Sequence, residues 1–346
     1  MVHYFYVHSN ICIITVYESV IKILEENKTD KIVILVSRGC SWPVNNPNIK
    51  VVDCQKFELA GSLHLRKEKM FTLLHSLFSY RRYLKELYSK INEFVAEEDF
   101  YIYLPIYDNE LSHAFVQNEH CKGYYFIEEG TIDYLPLSYV YKIAWRTKQA
   151  LFKRIVYPLL GSKFYFILHQ GQKFLGCISL YKEAFPFIDN KMHIVNGNSS
   201  YVSQVEESKY FDNIIVTGYL FEDEQILRCC ILKLLQSFNR TESIAFKIHP
   251  EVYSYYPEKI RIIKDIIRES GKKVELLGPS YSVEASIFKV HSNIYSLFTK
   301  SSLLLYALKN NASAYAITMS NGNIEYEKFS NINEVITSIV TNSNYK

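Results

Sequence analysis

The sequence predicts an α/β chain built as two Rossmann-like halves joined at about residue 200, and three observations predict it. Short apolar runs of strand length alternate with longer stretches whose apolar residues recur at helical spacing, first up to about residue 160 and again from residue 213. Alternation of that kind makes a mostly parallel sheet with helices on its faces. Between the two alternating regions lies 171–208, with the clusters Phe185-Pro186-Phe187 and Asn196-Gly197-Asn198-Ser199-Ser200, a composition suited to a crossing between domains. Finally, 346 residues with 48% hydrophobic and 22% charged side chains suffice for two ordinary cores.

The elements follow in order. Strands are expected at 4–7, 31–37, 50–52, 100–104 and 124–127, where Tyr, Ile, Val and Phe crowd together. Helices are expected at 16–26 and 69–97, the latter because Phe71, Leu74, Leu77 and Phe78 share one face. A further helical pattern runs from 137 to about 160 and stops near Pro158 and Gly161. Past the crossing, Ile214-Ile215-Val216-Thr217-Gly218 reads as strand and turn, 223–238 as helix and 243–248 as strand. A helix at 260–270 closes on Gly271, strands follow at 273–277 and 293–298, and a helix at 301–310. No internal repeat of fixed period interrupts this pattern. The expected division is therefore 1–200 and 201–346.

Composition narrows the function. A net charge of +3 implies no strongly basic nucleic-acid surface. Local basic clusters remain: Arg66, Lys67 and Lys69; Arg81, Arg82 and Lys85; and Lys142, Arg146, Lys148, Lys153 and Arg154. They suit solvated helix faces or contact with an anionic membrane surface. The seven cysteines lack any CxxC spacing and read as reduced thiols of a cytoplasmic protein. No apolar stretch approaches the roughly 18 residues of a membrane span, so a soluble, at most peripheral, chain is expected. The 29 Tyr and 21 Phe could line a sugar groove, or reflect an AT-rich genome.

Four short motifs carry chemistry. Glu128-Glu129-Gly130 follows the apolar run Tyr124-Tyr125-Phe126-Ile127, placing a carboxylate at a strand's carboxyl end, the edge where open α/β sheets bind ligands. Adjacent side chains there point to opposite sides, so one of the two carboxylates is available as a base, and Gly130 lets the backbone turn. His249-Pro250 follows Ile244-Ala245-Phe246-Lys247-Ile248. Pro250 fits the first position of a helix through 251–255 and leaves His249 at its mouth. Ser301-Ser302 precedes Leu303-Leu304-Leu305 as a helix cap that could cradle a phosphate. Glu284, after the strand at 273–277, could accept two ribose hydroxyls. Each motif alone also has a plain structural explanation as a cap or loop residue. Asp108-Asn109-Glu110 and Glu222-Asp223-Glu224 fail as metal-binding DxD motifs: the first is a polar loop and the second the acidic first turn of a helix. No Walker A, GxGxxG, GxSxG, HExxH or zinc spacing occurs, so neither metal nor cofactor is expected.

Taken together and in this order, the acidic pair with Gly130, then His249-Pro250, then Ser301-Ser302 resemble the signatures of bacterial sialyltransferases. The likeness is to the lipooligosaccharide sialyltransferase and capsular polysialyltransferase families. Glu284 also matches a ribose-binding Glu of related enzymes, and Val216-Thr217-Gly218 resembles the glycine turn opening their donor domain. The likeness covers scattered anchors and not a continuous alignment. It implies a GT-B fold, two Rossmann-like domains facing each other across a cleft, with acceptor bound mainly by the first and CMP by the second. It further implies Glu128 as general base, Glu129 remaining open, His249 as acid to the departing phosphate, and Gly218, Pro250, Glu284, Ser301 and Ser302 around CMP. Ser9, Asn10, Glu129 and Gly130 fall on the acceptor side, around the loop His8-Ser9-Asn10. The expected donor is CMP-N-acetylneuraminic acid, with CMP-linked legionaminic, pseudaminic or 3-deoxy-octulosonic acid as alternatives on the same fold. A non-catalytic glycan- or nucleotide-binding module is the reading from another class. The expected acceptor is a cell-surface glycan or glycolipid. The expected location is the bacterial cytoplasm, peripheral on the inner membrane face.

Overall fold

A computed structural model describes residues 1–37, 40, 42, 46–54, 57, 70–105, 110–140, 154, 158, 171–189, 192–194, 209–218, 220 and 222–342. The chain forms two compact units, Met1–Gly197 and Asn198–Lys346. The fold class is the one expected, two Rossmann-like α/β units.

In the first unit, seven parallel strands lie in the order β3-β2-β1-β4-β5-β6-β7. They are β1 (Val2–Val7), β2 (Lys31–Val36), β3 (Ile49–Asp53), β4 (Phe100–Pro105), β5 (Cys121–Ile127), β6 (Phe174–Ser179) and β7 (Met192–Ile194). Every residue of β1 is buried, as befits a central parallel strand covered on both faces. Phe5, Tyr103 and Tyr125 occupy one rung across β1, β4 and β5 and stack at centroid separations of 4.1 and 5.1 Å. Part of the Tyr abundance thus goes into cross-strand ladders. Helix α1 (Asn10–Glu26) starts straight after β1, because Ser9 accepts the Cys12 N–H at 3.3 Å. The expected start at residue 16 was too late: Ile11-Cys12-Ile13-Ile14 forms the first turn, pressed into the core. Helix α2 (Met70–Val95) buries Tyr80, Leu84, Leu87, Ile91 and Val95, a stripe at helical period, and α3 (Glu110–Gln117) packs beside it.

The second unit holds a six-stranded sheet in the order β10-β9-β8-β11-β12-β13, parallel except for β13. Its elements are β8 (Asn213–Thr217), α4 (Glu224–Ser237), β9 (Ile244–Lys247), α5 (Pro250–Tyr255), α6 (Pro257–Glu269), β10 (Val274–Leu277), α7 (Val283–Val290), β11 (Asn293–Leu297), α8 (Leu303–Lys309), β12 (Ala314–Ser320), β13 (Asn323–Phe329) and α9 (Ile332–Asn342). Asp223 caps α4 by accepting the Gln225 N–H at 2.8 Å, so Glu222-Asp223-Glu224 is a helix start as expected. Ile215, Leu227, Ile231, Leu235, Phe246 and Ile266 close the core between sheet and helices.

One expectation needs correction, one stretch adds elements that were not expected, and one helix is not tested. The stretch 171–208 is not only a crossing, since it contributes β6 and β7 to the first sheet. Beyond residue 310 lie β12, β13 and α9, joined by a two-residue hairpin at Asn321-Gly322 whose φ angles of 49° and 76° are those an Asn-Gly turn supplies. The helix expected over 137–160 falls almost wholly outside the described residues. So do Arg66, Lys67, Lys69, Lys142, Arg146, Lys148, Lys153, Asp108 and Asn109. In the described cluster on α2, exposed Arg82 is already paired with Glu86 at 3.0 Å. Among the described residues no helix is long and apolar enough to cross a membrane. All seven cysteines are free thiols, five of them buried.

Candidate active site

Strand order reverses direction between β1 and β4 in the first sheet and between β8 and β11 in the second. The carboxyl ends around such a reversal form the ligand crevice of an open α/β sheet.

In the first unit this edge is built by the loops after β1 and β5. Glu128 and Glu129 diverge as the alternation requires. Glu128 is fully buried: Tyr134 donates its hydroxyl at 2.5 Å to Oε1, and the Leu180 N–H donates to Oε2 at 2.7 Å. Burial, with the Glu128 charge beside it, drives the Tyr134 phenol far above its ordinary range, so Tyr134 remains a donor. Glu129 instead meets His8, whose Nε2 lies 2.5 Å from Oε2. Gly130 adopts φ 153°, ψ −146°, a conformation only glycine takes readily. That bend lets Asp133, in the 3-10 turn Thr131–Tyr134, accept the N–H groups of Glu129 and Gly130 at 2.6 and 3.0 Å. Asp133 is itself fully buried, and its Oδ1 has no hydrogen-bond partner. Burial first, then the neighbouring Glu129 and Glu128 charges, hold its carboxyl well above the usual range, outweighing the two N–H groups. Ser9 is the cap of α1 and also donates to Cys12 Sγ at 3.1 Å, while the Asn10 side chain lies outside the described residues.

In the second unit the edge is built by the loops after β8, β9, β10 and β11. Gly218 lies against Thr299, where an added Cβ would meet ordinary contacts of 3.5–3.6 Å. Leu220 and Phe298, beyond the ends of the two central strands, both hold left-handed backbone (φ 57° and 54°), strain of the kind that gathers at functional edges. Thr217, the last residue of β8, buries a hydroxyl without a hydrogen-bond partner. His249 is half-buried after β9, and Pro250 opens α5 as expected. Glu284 stands in the first turn of α7, beneath the cap Ser282, whose hydroxyl accepts the Ala285 N–H at 3.2 Å and approaches Glu284 at 3.4 Å. The Ser301 hydroxyl accepts the Leu303 N–H at 3.3 Å, and the Ser301 N–H donates to Ser296 at 3.2 Å; Ser302 makes no side-chain cap.

Two residues escaped the sequence reading. Lys247 buries its ammonium and donates to the carbonyls of Gly278, Pro279 and Tyr281 at 2.5, 2.8 and 3.0 Å, pinning the loop that leads to Ser282 and Glu284. Its place at the end of β9, two residues before His249, was the available signal. His8 lay inside a loop already singled out, but its pairing with Glu129 spans 121 positions. Among the described residues, no group of three or more His, Cys, Asp or Glu side chains is arranged to hold a metal ion.

No protein-family model matches the chain. No curated protein matches it either. Several solved structures are similar. A UDP-GlcNAc 2-epimerase of Methanocaldococcus jannaschii, solved with UDP-GlcNAc and UDP, shares 10% identity at a TM-score of 0.48, covering 100% of both chains. The 2,6-sialyltransferase of Photobacterium sp. JT-ISH-224, solved with CMP and lactose, shares 12% identity at a TM-score of 0.47, covering 99% of this chain and 75% of that one. A sialyltransferase of Photobacterium damsela shares 12% identity at 0.46, covering 88% and 71%. At such distances the likeness carries no argument about activity.

Proposed function

We propose that the chain is an inverting, metal-independent glycosyltransferase that transfers N-acetylneuraminic acid from CMP-sialic acid to a hydroxyl of a cell-surface glycan, a lipooligosaccharide or capsule chain. The observation that carries the reading is positional. Glu128-Glu129-Gly130, His249-Pro250 and Ser301-Ser302 each follow the carboxyl end of a strand in a Rossmann-order sheet. Glu284 joins them at the next loop.

The base is assigned to Glu129 and not Glu128, because both oxygens of Glu128 are engaged in the core. Glu129 takes the proton of the acceptor hydroxyl as its oxygen bonds to the anomeric carbon of the sugar. The bond from that carbon to the CMP phosphate oxygen breaks on the opposite face. His249 hydrogen-bonds or protonates the departing phosphate, which Ser301 and Ser302 receive through their hydroxyls. Glu284 accepts the ribose hydroxyls, Gly218 and Pro250 shape the donor loop, and Ser9, Asn10 and Gly130 border the acceptor. In the presence of EDTA, CMP-sialic acid with a lactoside should yield sialylated product. Glu129→Gln and His249→Ala should each lower the rate by about 10²–10⁴. Near-full transfer in both variants sinks the assignment, and turnover only with another CMP-sugar moves it to that donor.

A further inference from the structure

We infer that His8 is the positioning residue for the Glu129 base, the two forming a hydrogen-bonded dyad at the carboxyl edge of the first sheet. The inference rests on the glycosyltransferase reading for its catalytic meaning, but the dyad itself stands on geometry.

His8 Nε2 and Glu129 Oε2 are 2.5 Å apart, with the two side chains 6% and 7% exposed. Two lone pairs cannot face each other so closely, so one proton lies between the nitrogen and the oxygen. That proton commits Oε2 to the imidazole and leaves Oε1 as the oxygen that can accept from an acceptor hydroxyl. It also fixes the carboxylate's torsion, since the imidazole is anchored in turn. His8 directly follows the fully buried strand β1, and its ring stacks on Tyr6 at 5.6 Å. A carboxylate at this spot needs such a partner. Asp133 and Glu128, both fully buried, flank it from the turn and from the strand side. Cys12 of α1 lies close enough to feel the Glu129 charge. Glu129 therefore has two further carboxyl groups and a thiol as neighbours, and the imidazole of His8, stacked on Tyr6, is the group that bonds it.

The test uses the full-length protein with His8→Asn, His8→Ala and Glu129→Gln. The first readout needs no activity. A proton held between the imidazole and the carboxylate should resonate far downfield in the parent's proton NMR spectrum, and that resonance should be lost in His8→Asn and lost or moved upfield in Glu129→Gln. The second readout is the split of kcat from KM. His8→Ala should lower kcat by about 10²-fold, the order expected when a reacting group is misplaced by an ångström. KM for CMP-sialic acid and the stabilisation by CMP should stay unchanged. His8→Asn, whose amide can still donate to Oε2, should recover part of that loss. Absence of that resonance in the parent, or its survival unchanged in Glu129→Gln, overturns the dyad, and an unchanged kcat in His8→Ala overturns its positioning role. If the parent protein transfers no CMP-linked sugar, the functional reading falls while the downfield resonance still decides the dyad.

Discussion

Glu128 and Glu129 share a peptide bond, yet one accepts two hydrogen bonds in the core and the other meets an imidazole at the sheet edge. A third carboxyl, Asp133, bears the electrostatic cost of that arrangement. Its folded carboxyl is held well above the usual range by burial and by Glu129. From about pH 4 upward the native state therefore retains a proton that the unfolded chain has released. Stability must then fall as pH rises through that window. Asp133→Asn keeps a side-chain oxygen for the two N–H groups but has nothing to titrate. Relative to the parent, it should gain stability as pH rises above about 4, measured as the difference in urea midpoints. A difference that is flat with pH, or that runs the other way, contradicts the protonation state given to Asp133.

At the scale of elements, the segment from β9 to α7 shows how one buried charge organises a loop. Lys247 gives hydrogen bonds to three carbonyls, and Ser282 starts the helix that carries Glu284. Lys247→Met retains the apolar stem and leaves those carbonyls unpaired. A loss of about 1–3 kcal/mol in unfolding free energy is expected, the usual penalty for a buried polar group without its partner. Amide exchange across 278–285 should quicken with it. Stability equal to the parent's would mean that water replaces the ammonium at no cost. This segment also marks where sequence reasoning works. The runs at 31–37, 100–104, 214–218 and 243–248 are strands because parallel strands buried on both faces must be apolar throughout. Helix starts were harder to read, since a serine cap turned Ile11-Cys12-Ile13-Ile14 from a strand-like run into helix. Asn321-Gly322 was plain in the sequence and passed over. The site divided in the same way. His249, Glu284 and Ser301 were legible as residues following strands. The His8–Glu129 pair was not, because only the order of strands brings β1 and β5 to the two sides of β4.

For the molecule as a whole, each unit encloses its own core, and each core contains thiols. Cys12, Cys54, Cys121 and Cys177 are buried in the first unit and Cys230 in the second, whereas Cys40 and Cys229 are half-buried. Burial pushes Cys121 up to about 11, and Cys177 and Cys230 up to about 12. Alkylation needs an accessible thiolate, so these groups react only when the chain around them opens. The molecule thus carries chemical stopwatches in both halves. With iodoacetamide at pH 8, mass spectrometry should find Cys40 and Cys229 modified first. Cys177 and Cys230 should follow at rates set by the opening of their own units, and on the proposed function saturating CMP should slow Cys230. Modification of Cys177 as fast as Cys229 would refute its burial, and indifference of Cys230 to CMP would count against the proposed binding of CMP by the second unit. The adjacent pair Cys229-Cys230 makes the measurement self-calibrating: one peptide reports both the reagent's reach and the fold's resistance.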